Sequence, residues 1–149
     1  MAAYSVNQKT RDSVAGSTVT LLSETVTTAV SATTTTAVDV DPAMKSLTLQ
    51  CNFTYGSGGT SAIYRVQTTI DGTNWIDIAA FDHATASLRR VFNLSGRTPV
   101  TTIYTALDGT LTADTAKDGL IGTKLRVKRT TVGTYAGDTT VVITALLRP

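Results

Sequence analysis

The sequence has few of the side chains that usually carry out chemistry. It contains one cysteine and one histidine among 149 residues, which excludes a disulfide framework and a Cys/His zinc cluster. Charged residues make up 16% of the chain, where about 25% is ordinary. A formal net charge of +2 is too small to indicate nucleic-acid binding by itself. We therefore expect no metal, no cofactor and no nucleic-acid partner.

Long apolar segments are also missing. No apolar run approaches the roughly 20 residues that a membrane helix needs. The first ten residues, MAAYSVNQKT, have no apolar segment behind a basic head, so we expect no secretory signal and synthesis in a cytoplasm. A single unpaired cysteine suits that compartment. With 42% hydrophobic residues, a chain of this length has enough apolar surface for the core of one domain.

Threonine is the residue that the chain has in excess, at 31 of 149 positions. Its branched side chain loses freedom in a helix and fits a strand. The clearest pattern spans residues 45–55, where apolar and polar residues alternate, the apolar set being Leu47, Leu49, Cys51, Phe53 and Tyr55. A period of two over this length predicts a half-buried strand.

Strand-like segments recur along the rest of the chain, separated by turn residues. We predict extended chain over residues 17–30 and strands over residues 37–40, 61–70, 75–81, 88–94, 100–106, 120–131 and 139–147. Short strands at this spacing are typical of an all-β fold. The prediction is a single antiparallel β-sandwich of eight or nine strands, jelly-roll or immunoglobulin-like, over residues 17–149, preceded by an extended N-terminal arm, residues 1–16.

Candidate catalytic groups are sparse, and each has a structural interpretation. His83 is the one possible imidazole base, and we favour a polar loop residue. Cys51 lies on an apolar strand face and is expected to be a small buried side chain. Asp39 and Asp41 would point the same way from a strand, as calcium ligands or an acid/base pair require, but Pro42 favours a solvated turn. We expect no catalytic residue and no enzyme activity.

Two features suggest contact with a partner. Lys124, Arg126 and Lys128 alternate along one predicted strand, so their side chains should share one face. That face is either solvated, a charge-guarded edge, or a docking stripe for an acidic surface. Trp75 follows a turn and belongs to the less apolar set of its strand, with Asp77. It is therefore either an exposed anchor for a partner or a cover for the end of the sandwich.

Two segments carry a resemblance to a known class of protein. The hairpin over residues 63–81, with its Asp-Gly turn followed by Trp, resembles one that is common in β-sandwich virion proteins of tailed bacteriophages. Residues 124–145 are similar to the final strand pair of the same proteins. The resemblance implies a small structural protein of the virion, either a head decoration (cement) protein or a minor head or tail protein. Its expected partners are the major capsid protein or other virion proteins, and we expect a homo-oligomer.

Alternative functions remain open at this point. A host-attachment or glycan-binding module would use an exposed cluster of aromatic rings, drawn from Tyr55, Tyr64, Trp75, Tyr104 and Tyr135. A carboxylate hydrolase would need two acidic side chains about 5 to 10 Å apart in a cleft, drawn from Asp39, Asp41 and Asp77. The predicted arm suggests a further role, since an extended segment can add a strand to a neighbouring subunit.

Overall fold

The computed structural model of the chain describes residues 16–149, so the predicted N-terminal arm lies outside the described residues except for Gly16. The described chain is built from antiparallel strands, and no helix occurs in it. The strands are β1 (Ser17–Thr25), β2 (Val30–Thr34), β3 (Val38–Asp39), β4 (Ser46–Thr54), β5 (Ser57–Gly58), β6 (Ser61–Thr69), β7 (Trp75–Asp82), β8 (Leu88–Ser95), β9 (Lys124–Val132), β10 (Tyr135–Ala136) and β11 (Thr140–Arg148).

The long strands form two sheets that face each other. The first sheet has the order β1-β11-β4-β8, and the second has the order β2-β9-β6-β7, with β3 pairing β9 further along the same edge. The two-residue strands β5 and β10 pair with each other. Three of the eleven strands are only two residues long, which leaves eight long ones. The predicted all-β sandwich is confirmed.

The strand order settles which kind of sandwich this is. Successive long strands alternate between the two sheets, except that the β6–β7 hairpin stays in the second sheet. Strands at the same position in the two sheet orders form four pairs: β1 with β2, β11 with β9, β4 with β6, and β8 with β7. This is the double Greek-key connectivity of a jelly roll. An immunoglobulin fold would keep the first two strands in one sheet.

The core lies between the two sheets and follows the period of two. In β4 the predicted apolar positions Leu47, Leu49, Cys51 and Phe53 are all buried, and in β11 every second residue is buried from Val141 onward. Phe53 packs against Tyr64 of the opposite sheet, with ring centroids 6.3 Å apart. Because both sheets contribute to one continuous apolar cluster, burial of this cluster holds the sandwich together.

Two of the predicted strands are wrong in detail. Residues 17–30 divide into β1 and the start of β2, which belong to different sheets. Residues 100–106 form no strand, and Ile103 is 98% exposed. This segment does not pair with the edge of the second sheet at β7. The outer edge of β7 is already occupied, since Ala80 N–H donates to Thr115 O at 2.9 Å and Lys117 N–H donates to Ile78 O at 2.8 Å.

One end of the sandwich depends on the close approach of two backbones. A side-chain carbon added at Gly56 would lie 2.0 Å from the Gly137 carbonyl oxygen.

We therefore expect Gly56→Ala to lower the free energy of unfolding by about 2 kcal/mol or more, because the β5–β10 ladder must separate. Gly72→Ala is the matched control. At Gly72 φ is +81° but nothing lies within 4 Å, so it should cost only about 1 kcal/mol. Urea titration of both variants checks this, and equal losses would contradict it.

Candidate functional site

The three predicted cations lie together on the outer face of the second sheet. Lys124, Arg126 and Lys128 alternate in β9 with Leu125 and Val127, which are fully buried in the core. The prediction that the three cations share a face is therefore confirmed. Their role in docking a partner stays a prediction, and it has to be weighed against the contacts that each cation already makes.

Arg126 and Trp75 contact each other, which the sequence did not indicate. The Arg126 guanidinium lies 4.1 Å from the centre of the Trp75 ring, a cation–π geometry. The same side chain donates from Nε to Gln67 Oε1 at 2.8 Å. Trp75 is half-buried and Arg126 covers one face of its ring. Its role as an anchor for a partner stays a prediction.

The two lysines form ion pairs within the chain. Lys128 Nζ lies 2.9 Å from Asp108 Oδ1, and Lys124 Nζ lies 3.2 Å from Asp39 Oδ1. The Lys128 side chain is 18% exposed and that of Asp108 is 53% exposed, so only the lysine end of this pair is largely buried. Its hydrogen bond, together with one from the Gln67 amide, holds the pKa of Asp108 below the ordinary value against the opposing effect of burial. All three predicted cations therefore have partners before any other protein is bound.

Asp77 is buried beneath this face and fixes the chain segment that covers it. It is 1% exposed, and its Oδ2 accepts the backbone N–H groups of Gly109, Thr110 and Leu111 at 2.7, 2.9 and 3.0 Å. Its Oδ1 accepts from the Gln67 amide at 2.8 Å. This set of donors compensates the removal of a carboxylate from water. It also anchors residues 107–111 over the sheet.

The less apolar side of β7 is not exposed along the whole strand. The alternation put Trp75 and Asp77 on that side, and Trp75 is half-buried there, but residues 77–81 are all buried. A ladder irregularity lies between Val66 and Gln67 of β6, opposite this part of β7, and residues 107–117 cover the strand. In the sequence, the one sign that a second layer covers β7 is the acidic residue Asp77 within an otherwise apolar stretch.

The outer face of the first sheet has the opposite character. We call it the threonine face. It consists of the outward residues of β1, β11, β4 and β8: Thr18, Thr20, Ser23, Thr25, Ser46, Thr48, Gln50, Asn52, Thr54, Arg89, Val91, Asn93, Ser95, Thr140, Val142, Thr144, Leu146 and Arg148. Its two charged residues lie at the margin, Arg89 on the edge strand β8 and Arg148 at the end of β11. In register, Thr144 stands between Thr20 and Gln50 at the centre.

The threonine face is a four-strand surface of short polar and apolar side chains. Thr48 donates to Asn93 Oδ1 across β4 and β8 at 3.1 Å. The alternation of Thr48 and Thr54 with Leu47 and Phe53 is the signal that could have found this face in the sequence. That these residues continue across four strands could not be read from it, because the strand order is not local information.

His83 lies in the connection between β7 and β8, as expected of a loop residue, but it is only 1% exposed. Its backbone N–H donates to Ala62 O at 3.1 Å, which continues the β6–β7 pairing by one residue. Its Nε2 lies 3.1 Å from the Cys51 Sγ, and its ring stacks on Phe53 at 5.1 Å. Cys51 is a buried side chain, as predicted.

Burial decides the charge states of this pair. It lowers the pKa of His83 to about 4, helped by the nearby Arg90 cation, and it raises the pKa of the Cys51 thiol to about 12. Both groups are therefore neutral at pH 7. Since the thiolate is the reactive form of cysteine, the pair packs the core and supplies no activated nucleophile.

The aspartates named in the sequence serve separate local roles. Asp39 pairs with Lys124, and Asp41 accepts the Ala43 N–H at 2.8 Å in an exposed turn. The solvated-turn interpretation of Asp41 is confirmed. Within residues 16–149, no three side chains of the His, Cys, Asp and Glu types are gathered where they could hold a metal ion. The same residues contain no helix that is long and apolar enough to cross a membrane.

The five aromatic residues of the glycan hypothesis do not form one exposed cluster. Tyr64 and Tyr135 are buried in the core, and Trp75 is covered by Arg126. Tyr55 donates its hydroxyl to Gly58 O at 2.8 Å, while Tyr104 lies beside Lys117. No flat aromatic platform is built from these rings.

Comparison with protein-family models, with curated protein sequences and with solved structures finds no match to this chain.

The Asp77 network can be tested by removing one charge. We expect Asp77→Asn to lower the free energy of unfolding by about 2 to 3 kcal/mol, because an amide has a single accepting oxygen, so its NH2 group must face either the N–H groups of residues 109–111 or the Gln67 amide. Hydrogen exchange of those amides should speed up. Asp39→Asn is the matched control. The Asp39 side chain is 86% exposed, so this change should leave exchange at residues 109–111 unaltered. Unchanged exchange in the Asp77 variant would contradict the anchoring role.

The buried imidazole predicts a dependence of stability on pH. The pKa of His83 is lowered from 6.5 to about 4 in the folded chain, so the unfolded chain takes up the proton first as pH falls. Stability is therefore complete above about pH 6.5 and declines between pH 6.5 and about 4, by on the order of 3 kcal/mol.

Chemical denaturation across this pH range, compared with His83→Gln, measures the contribution of His83. The glutamine variant does not titrate, and the contributions of Glu24 and of the aspartates cancel in the difference between the two proteins. The difference in unfolding free energy should shrink as the pH falls through the window. A difference that is constant with pH would contradict the assignment.

Proposed function

We propose that the protein is a non-enzymatic structural protein of a tailed-bacteriophage particle, a head decoration (cement) protein that stabilises the capsid through protein–protein contacts. The observation that carries this proposal is the threonine face. It is a four-strand surface whose two charged residues, Arg89 and Arg148, lie only at its margin, on a sandwich whose other outer face is occupied by its own ion pairs and by residues 107–111.

The chemistry of this face suits docking better than catalysis. Threonine presents a methyl group and a hydroxyl group, so it can pack and hydrogen-bond without the large desolvation cost of a charge. Charged residues are depleted from the centres of protein interfaces for the same reason. At the centre of the face stand Thr20, Thr144 and Gln50, all uncharged.

The fold agrees with the proposal at the level of analogy. Jelly rolls occur in viral capsid domains, and also in lectins and cupins, so the fold alone does not select a function. A lectin-like role would need an exposed aromatic cluster, which the rings of Tyr64, Trp75 and Tyr135 do not provide. The resemblance of residues 63–81 and 124–145 to β-sandwich virion proteins supports the particle role.

The size of the face supports action in several copies. Four strands of nine residues or fewer cover roughly 500 Å² at ordinary strand spacings. A standard stable interface uses about 800 Å² on each partner. One face is therefore small for a tight complex, and a homo-oligomer that docks several faces on a repeating lattice gains affinity by multivalency.

The proposal is tested with heads of the phage whose genome carries this gene. Purified protein should co-sediment with heads that lack it and should raise the temperature at which they open. Thr144→Arg should weaken head binding at least tenfold, because it buries an unpaired charge at the centre of the threonine face.

Thr102→Arg is the matched control, since it adds the same charge at an exposed position of the long connection between β8 and β9 (residues 96–123). This variant should bind heads as the wild type does. Both variants should keep the wild-type melting temperature. If the wild-type protein never sediments with heads, or if both variants bind equally well, the proposal fails.

A further inference from the structure

The edge strand β8 has one unpaired side within the described chain. It pairs with β4 and with no other described strand. Gly96 N–H donates to Lys45 O at 2.7 Å, on the β4 side, whereas Ser95 N–H donates to Asp118 Oδ1 at 2.6 Å, on the other side. Because successive amides of a strand alternate in direction, the N–H and C=O groups of Arg89, Val91 and Asn93 point away from β4.

An apolar hollow lies beside this edge. It has a volume of about 450 Å³ and is lined by Phe81, Arg90, Val91, Phe92 and Asp114. Val91 is 56% exposed, and the ion pair between Arg90 and Asp114, at 2.6 Å, contributes charge to the lining. An exposed apolar edge with free backbone groups is a template for another strand.

The chain itself has a segment that matches this template. Residues 1–15 precede Gly16, and in their first part Ala2, Tyr4 and Val6 alternate with small or polar residues. As a strand, this segment would place Tyr4 and Val6 on one side. About nine residues then connect it to β1, enough for roughly 30 Å of extended chain.

We propose that β8 receives residues 2–7 of a second copy of the chain as an added antiparallel strand, with Tyr4 and Val6 in the hollow beside Phe81 and Phe92. The edge at β1 is a poorer receiver, because the hollow near its end is lined by Glu24, Arg129 and threonines. This contact would join two copies of the proposed decoration protein, and it can form without a capsid.

Strand direction explains why the arm comes from another copy. Three antiparallel pairings separate β1 from β8, so β1 runs opposite to β8. The arm of the same chain would have to reverse at Gly16, cross about 19 Å, which is four strand spacings, and then run parallel to β8. The end of the sheet that it would cross already carries the Lys45–Arg148 and Gly96–Lys45 hydrogen bonds. A second copy can approach in the more stable antiparallel direction.

Two complementary variants test the exchange. The first lacks residues 1–15 but keeps the receiving edge. The second is Val91→Pro, which keeps the arm but removes the central free N–H of β8. Proline is tolerated on an edge strand, so Val91→Pro should keep the fold. Val91→Thr is the matched control, because it keeps that N–H.

Sedimentation velocity measures the outcome, with circular dichroism and melting as checks of the fold. Wild type and Val91→Thr should be oligomeric, and each of the two complementary variants should be monomeric alone. Mixed together they should form a 1:1 dimer, since one supplies the arm and the other the edge.

Several results would overturn the exchange: a monomeric wild type, an arm-deleted chain that sediments as the wild type does, or a mixture that stays monomeric. None of these bears on whether the protein binds heads, so failure of the exchange and failure of the proposed function are distinguishable.

Discussion

The Asp77 carboxylate lies where β7 meets the long connection between β8 and β9. Residues of this connection bury the carboxylate, and their hydrogen bonds to it hold them in place. Three backbone N–H groups of residues 109–111 and the Gln67 amide compensate its burial. Without them, the isolated charge would cost several kcal/mol. The folded state is therefore tied to one position of this connection. Gln67 also accepts from Arg126, which in turn covers Trp75.

The same interaction makes the two outer faces of the sandwich different. The charged side chains on the outer face of the second sheet form ion pairs within the chain. Lys128, for example, pairs with Asp108 of the long connection between β8 and β9. The first sheet has no such layer in the described chain, and threonine is the most frequent of its outward residues. A face whose centre carries no charge desolvates cheaply and so suits contact with protein, whereas a face of satisfied ion pairs gains little from a new partner.

Local patterns predicted the strands well where a strand has one buried face. In β4 each inward residue from Leu47 to Phe53 was identified by the period of two, and β9 put its three cations on one side as expected. The same rule failed in β7, which is buried on both faces, and at residues 100–106, which have strand-forming composition but no partner. The burial of His83 was missed because the pairing of β6 and β7 continues one residue past the end of β7.

The sequence by itself determined the all-β class, the position of most strands and the side of each strand that faces inward. These follow from the pleat of the backbone and from β-branched side chains, which act between near neighbours. Only the tertiary structure decided the jelly-roll order, the burial of Asp77 and His83, and the continuity of the threonine face over four strands. Those depend on which distant segments pair, and hydrophobic burial is non-directional, so the period of a strand carries no record of its partner.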